Sequence, residues 1–376
     1  MDLERIRADY PILDRTTYLN HSSVGPLSGR VRQAIAVATA AQMAGSDGVG
    51  ELKTRVATLK GKLARLIGAD TDEIALVRNT VEGLATVASG VLWRAGDNVV
   101  TCDIEFPANV YPWLNLESRY GVQTKLVPAR EGRVLADDLI AACDERTRLL
   151  TISFVQFSNG FRADLERLGA FCRARDIRFC VDAIQGLGPL QLDARRCGID
   201  FLAAGGQKWL LGPIGIGFLY VRREVQGELW PSEIGHNGVM QNTERYTEYN
   251  LTFRPSAEKF EGGVPNYLGV YGLDAALDPL FAFGLPEVEA RVLALTDHLC
   301  AGLRELPVRL LSHRGPGESS GTVAFISDVE SSPALFARLT AANIVVSLRE
   351  GAIRVAPHFY NTHDEIDLLL ATVPAG

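Results

Sequence analysis

Ile177-Arg-Phe-Cys-Val-Asp182-Ala-Ile-Gln185 and, a little further on, Phe201-Leu-Ala-Ala-Gly-Gly-Gln-Lys208-Trp-Leu-Leu-Gly-Pro213 decide the architecture. Each opens as a short apolar run and closes on a charged side chain, Asp182 in one and Lys208 in the other. Runs of this kind bounded by turn residues predict buried strands. The same form occurs earlier at Ile74-Ala-Leu-Val77, Asn98-Val-Val-Thr101 and Leu149-Leu-Thr-Ile-Ser-Phe154. Amphipathic stretches lie between, such as Asp164 to Arg175 with Leu165, Leu168, Phe171 and Cys172 on one helical face. Alternating strand and helix predicts an α/β fold with a doubly wound sheet. Ligands of such sheets bind outside the carboxyl ends of the strands, and this is where Asp182 and Lys208 emerge.

A carboxylate and an ammonium on neighbouring strand ends also make a plain ion pair. The glycines at 205, 206, 212, 215 and 217 argue for more, because they open the lysine's surroundings to a close ligand. A desolvated lysine beside other positive charge gives up its proton and attacks an aldehyde. An aspartate at a pyridine nitrogen keeps that ring protonated as an electron sink. The pair fits pyridoxal 5'-phosphate (PLP) better than it fits a dehydrogenase or a kinase.

Two further segments are weaker alone. Ile74-Ala-Leu-Val-Arg78-Asn79-Thr80-Val81-Glu82-Gly83 predicts a strand and then a helix from Val81 to about Val87. The helix start and the Thr80 hydroxyl suit a phosphate, though an ordinary N-cap uses the same residues. Phe106 in Glu105-Phe-Pro-Ala-Asn109 is placed to lie on a cofactor ring, though core packing is the commoner fate of a phenylalanine.

Of 376 residues, 47% are hydrophobic and 22% charged, which is ordinary for a globular chain and long enough for two domains. The formal charge is −7, with no lysine-rich run or aromatic-interleaved basic stretch. That argues against nucleic acid or an anionic membrane as partner. The first ten residues hold Asp2, Glu4, Arg5, Arg7 and Asp9, not the apolar core of a signal peptide, and a cytoplasmic protein is expected. The cysteines at 102, 143, 172, 180, 197 and 300 form no CxxC pair and no cluster with the histidines, so no metal is expected. Beyond Gly284 a long amphipathic helix, Leu285 to Leu306, precedes strands at Thr322 to Ile326 and Ile353 to Val355 and a closing helix from Thr362. The organisation expected is a large domain over 16–284, with 1–15 and 285–376 forming a smaller α+β domain.

Taken together these segments resemble the class V aminotransferase family, which includes cysteine desulfurases, kynureninases and isopenicillin N epimerase. The likeness rests on Tyr18-Leu-Asn20-His21 with Gly25-Pro26, Arg78 to Gly83, Glu105 to Asn109 with Pro112-Trp113, and Val181 to Gln185. It continues through Lys208 to Pro213, Phe260-Glu-Gly-Gly-Val-Pro-Asn266, and Ile353-Arg354 with Tyr360-Asn-Thr362. It implies the PLP-dependent transferase fold of type I, with a mixed sheet, and a homodimer acting on a small amino acid. It implies that Lys208 carries the cofactor as a Schiff base, Asp182 pairs with the pyridine nitrogen, and Gln185 reaches the phenolic oxygen, with Gln156 as another such contact. Thr80 would bind the phosphate, Asn79, Val81 and Gln207 would also contact the cofactor, and Phe106 would stack on the ring. Arg354 would clamp the substrate's α-carboxylate, with Asn20 and His21 also on the substrate side.

Three departures bear on the reaction. Gly205 and Gln207 stand where desulfurases carry serine and histidine, and Val264 stands where many relatives carry a threonine that reaches the neighbouring subunit's phosphate. Between Val346 and Arg354 the chain reads Ser347-Leu-Arg-Glu-Gly-Ala-Ile353, with no cysteine where desulfurases hold their sulfur acceptor. Persulfide-forming desulfuration is therefore not expected. Elimination from Cβ, such as C–S cleavage, or epimerisation is the leading expectation. Transamination with a keto acid, or a PLP-fold binding subunit without turnover, are the alternatives.

Overall fold

The computed structural model describes residues 3–45 and 49–375. Its strands are β1 (Thr17–Tyr18), β2 (Ile74–Val77), β3 (Asn98–Cys102), β4 (Gln123–Val127), β5 (Thr147–Ser153), β6 (Arg178–Asp182), β7 (Phe201–Gly205) and β8 (Gly217–Val221). The later ones are β9 (Val308–Leu310), β10 (Val323–Ser327), β11 (Ile344–Val345), β12 (Ser347–Arg349) and β13 (Ala352–Val355).

A seven-stranded sheet carries the architecture, in the order β2-β8-β7-β6-β5-β3-β4. It is parallel except at β8, which runs against both β2 and β7. β6, β7 and β8 are buried almost throughout, as strands covered on both faces must be, and that is why they read as unbroken apolar runs. Separate apolar clusters pack against the two faces: one includes Leu150, Ile152, Val181 and Leu202, the other Leu149, Cys180, Phe201 and Ala203. The chain fills the sheet outward in opposite directions from β3 and β5, and the carboxyl ends of these two strands mark the switch point, with those of β6 and β7 alongside.

Helix Thr80–Gly90 crosses β7 at unusually close range. A Cβ on Gly83 would lie 2.8 Å from the Cβ of Ala203, so this glycine lets the helix settle onto the strand. The close approach brings the helix N-terminus to the end of β7, and the Thr80 hydroxyl oxygen accepts a hydrogen bond from Gly205 N at 2.9 Å.

A second, antiparallel sheet runs β12-β13-β10-β9 over its own cluster, with Leu295, Leu299, Phe325, Ile353 and Ile366 among its members. Helix Leu285–Arg304 and helix His363–Thr372 pack together behind it, the latter opened by a Thr362–Glu365 capping box. The N-terminal segment ties the two sheets together. β1 pairs in parallel with β11, Asn20 bridges to Ala356, and Ile6 and Tyr10 join a cluster under the large sheet. Among the described residues no single helix is long and apolar enough to cross a membrane.

Candidate active site

β6 and β7 end side by side, with Asp182 and Ala203 in register, and deliver Asp182 and the Lys208 turn to one crevice. Asp182 is buried, and its Oδ1 accepts from Ile184 N at 3.0 Å. The turn carrying Lys208 is built from close backbone contacts: Gly206 N donates to Ile216 O, Gly212 N to Gly206 O, and Gly25 N to Gln207 O. A Cβ on Gly25 would stand 2.3 Å from Lys208 O, so the Gly25-Pro26 segment can only pass here as glycine. Lys208 Nζ lies 5.5 Å from the centroid of the Phe106 ring, which packs edge-on against Phe157 at 5.2 Å.

The electrostatics of the pair are set by burial. Loss of water pushes the Asp182 carboxyl up toward neutral, helped by the nearby Glu105 and opposed by Ile184 N and the Lys208 charge. Burial likewise pulls the Lys208 ammonium down. Asp182 opposes that shift, while Arg354 and Arg349 add to it. Lys208 is thus a lysine among cations whose amine is freed far more readily than a solvated one.

Arg354 comes from the second sheet, on β13, and is 2% exposed. Its Nε donates to Ser347 Oγ at 3.1 Å, Nη1 to Phe157 O at 2.6 Å, and Nη2 to Ser23 Oγ at 2.8 Å. Among the described residues it has no carboxylate partner, and burial together with Arg349 lowers it to about 10, still cationic at neutral pH. A buried, oriented guanidinium without an anion is a site for one.

The other expected residues are placed as follows. Asn79 Oδ1 accepts from Glu82 N at 3.0 Å and so caps the helix, leaving the first-turn N–H groups of Thr80 and Val81 without intrahelical acceptors. Gln207 folds back over Gly205: a Cβ there would stand 2.3 Å from Gln207 Oε1, which is buried without a partner. Gln185 is held at both ends, Nε2 donating to Ser22 O at 3.0 Å and Oε1 accepting from Trp209 Nε1 at 3.1 Å, so only its second amide hydrogen remains to be offered. Gln156 Nε2 donates to Glu105 Oε1 at 2.7 Å, leaving Oε1 buried and unpartnered. Asn20 Oδ1 is also buried without a partner.

His21 differs from the rest. It is fully buried, with Nδ1 2.8 Å from Ala356 O and Nε2 2.5 Å from the Tyr360 hydroxyl. A carbonyl only accepts, so Nδ1 carries the proton and Nε2 accepts from Tyr360, which leaves neither nitrogen for a ligand. Its ring lies 5.9 Å from that of Trp209, next to Lys208.

Sequence reasoning gave no role to Glu105, although its segment was singled out. Its carboxylate gathers Asn109 Nδ2 (2.9 Å), Ser153 N (2.8 Å), Ser153 Oγ (2.5 Å) and Gln156 Nε2. This fixes the Gln156 amide with its NH₂ toward Glu105. Ser23, Ser347 and the Phe157 carbonyl, which aim Arg354, were likewise missed.

The residues fit PLP. An amine of lowered pKa, a buried carboxyl, an aromatic face and a free helix start converge, and the buried oxygens of Asn20, Ser22, Gln156 and Gln207 that lack partners belong to segments meeting around the Lys208 turn.

Comparison with known proteins points the same way. A family model for class-V aminotransferases matches residues 37–369. The chain is 32% identical over 396 residues to a probable cysteine desulfurase of Methanothermobacter thermautotrophicus, covering 99% of this chain and 98% of that one. It is 28% identical to the uncharacterized aminotransferase YcbU of Bacillus subtilis, covering 96% and 95%. Among solved structures, a C-DES mutant with glycine covalently linked to its PLP cofactor superposes with a TM-score of 0.92 at 25% identity, covering 98% and 99% of the two chains. The cystine C–S lyase C-DES in complex with its product cysteine persulfide gives 0.90 at 25% identity, covering 97% and 98%.

Proposed function

The chain belongs to the class V aminotransferase family and is a PLP-dependent enzyme, and from that premise we propose that it acts at the α-carbon of a small amino acid as a lyase, cleaving a bond at Cβ such as C–S. The observation that carries this reading is the buried Arg354, free of any carboxylate among the described residues, on a hairpin that brings no thiol toward Lys208.

Arg354 has five N–H donors and spends three on Ser347, Phe157 and Ser23. One hydrogen on each terminal nitrogen is left, a fork that fits the substrate's α-carboxylate. Bound PLP supplies a carbonyl for the substrate's amino group and a ring that takes up the electrons left at the α-carbon. Lys208 is the base for the α-proton, accepting it at Nζ, because burial keeps its amine available near neutral pH. Asp182, drawn toward the neutral form by burial and by the nearby Glu105, returns to carboxylate beside a cationic ring nitrogen and holds that charge in place. Phe106 is the ring's stacking face. The Thr80 hydroxyl, the N–H groups of Thr80 and Val81 and the Gln207 amide are its phosphate donors.

A persulfide route through a protein thiol is disfavoured. Burial drives the thiols of Cys102, Cys172, Cys180 and Cys300 upward and lifts Cys143 and Cys197 to about 11, so none is a ready thiolate. The same reading includes a cytoplasmic homodimer. Val264 and Ile214 are exposed beside the cavity that adjoins Arg78 and Glu82, and Val81 is exposed at the helix start, an apolar surface next to the crevice for a second copy to cover.

The experiment is a product analysis of the holoenzyme with small amino acids, those with a sulfur at Cβ first. Pyruvate and ammonia formed in step with a sulfur product are expected. A keto acid retaining the substrate's carbon skeleton, or a racemised substrate alone, would refute the lyase reading.

A further inference from the structure

β12 and β13 form a hairpin in which Ser347 opposes Arg354 and Arg349 opposes Ala352. Side chains alternate along strands, so Ser347, Arg349, Ala352 and Arg354 share one face. Arg354 uses that face to reach Ser23 and the Phe157 carbonyl beside the crevice. Arg349 is therefore presented on the same side, one diagonal step further out, and it donates only to its neighbour's carbonyl, Leu348 O at 3.2 Å. Among the described residues it makes no ion pair. A cavity of about 720 Å³ opens next to it, walled by Phe157, Leu311, His313 and Arg349, with the carboxylates of Asp103, Glu105, Glu131 and Glu350 also on its lining. Phe157 is shared between this cavity and the crevice, touching Phe106 on one side and holding Arg354 through its carbonyl. The charge of Arg349 is felt at Lys208 as well as at Arg354, which fits their common location.

From this placement we infer that the cavity receives the substrate's side chain and that Arg349 binds a carboxylate or similar oxyanion at its far end, so the substrate is an amino acid with a second, distal anion. Backbones on a hairpin diagonal stand roughly 7–8 Å apart, so two forked side chains leaving one face suit anions separated by about 6–9 Å. Phe157 and Leu311 would line the apolar stretch between them. Asp103, Glu105, Glu131 and Glu350 put negative charge on the rest of the wall, so the anion belongs on the Arg349 guanidinium itself, and a distal ammonium accompanying it would be welcome. The inference rests on the amino-acid substrate proposed above and adds its class.

The test is a titration of the cofactor's absorbance in the holoenzyme with matched ligands: glutamate against glutamine, 2-aminoadipate against norleucine, and cystine against S-methylcysteine. The anionic partner should bind about 10- to 100-fold more tightly, the range expected of one charge-assisted contact. Arg349→Gln should remove that preference by loosening the anionic ligands while the neutral ones stay within about twofold. Arg354→Lys should loosen both kinds. Equal affinity within the pairs in the native enzyme, or an Arg349→Gln loss shared equally by neutral and anionic ligands, would overturn the inference while leaving the lyase reading intact. A holoenzyme whose absorbance answers to no amino acid would overturn both.

Discussion

Replacing Arg354 by lysine tests how the substrate is held, and the size of the effect follows from the donor count. The guanidinium commits Nε to Ser347, one Nη1 hydrogen to Phe157 O and one Nη2 hydrogen to Ser23. A carboxylate then finds one free hydrogen on each terminal nitrogen. Lysine keeps the charge but concentrates three hydrogens on one nitrogen, so the two parallel bonds become at most one. Losing one charge-assisted bond costs about 1.5–3 kcal/mol, or about 10- to 100-fold in KM. A second signature comes from burial. Arg354 stays charged because its lowered value is still about 10, whereas a lysine in that desolvated place beside Arg349 would shed its proton much earlier. The ratio of variant to parent KM should therefore grow between pH 7 and 9. Steady-state kinetics across that range, with the cofactor spectrum recorded in parallel, supply the assay. A KM within twofold of the parent at all pH values would refute the clamp, as would a spectrum that changes as much as KM does.

Asp182→Asn should leave the cofactor bound but slow turnover by on the order of a thousandfold, several kcal/mol of barrier, because an amide cannot hold a ring proton by charge. Near-normal kcat would make Asp182 structural. Burial takes His358 from its ordinary value near 6.5 to about 4, and its ring is committed as a neutral donor to Trp209 O and acceptor from Phe359 N. A lowered folded value means this stability is present in full above pH 6.5 and drains away as pH falls toward 4, by roughly 3 kcal/mol in all. Urea midpoints at pH 7.5, 6 and 5, the higher two above the carboxylate range, should fall with pH in the parent and less steeply in His358→Gln; parallel slopes would refute the assignment. Replacing all six cysteines by alanine or serine should leave turnover in a protein that still folds. Activity lost with one particular cysteine, and a persulfide on that residue in the parent, would restore the desulfurase route.

The central strands were legible because strands buried on both faces cannot alternate, and the runs ending at Asp182 and Gly205 show this directly. β4 was not legible, since at the sheet edge Gln123-Thr-Lys-Leu-Val127 mixes exposed and half-buried positions and has no apolar signature. β8 was hidden for a different reason: its run follows so closely on the Lys208 turn that its glycines were read as ligand space rather than as the start of an antiparallel strand. In the site, Lys208 and Asp182 could be read because a strand end is a local feature. The contacts that aim Arg354 could not, since Ser23 and Phe157 lie 331 and 197 residues away along the chain. Gly205 is instructive in another way. As sequence it is a departure from the desulfurases' serine, whereas in the fold it is the space that Gln207 occupies.

The most direct test of the account is to reduce the holoenzyme with borohydride, digest it and map the pyridoxyl label. The account predicts one labelled peptide carrying Lys208, absent in Lys208→Ala. A label on Lys259, which is also buried and lowered in pKa, or on Lys125 or Lys60, would contradict it.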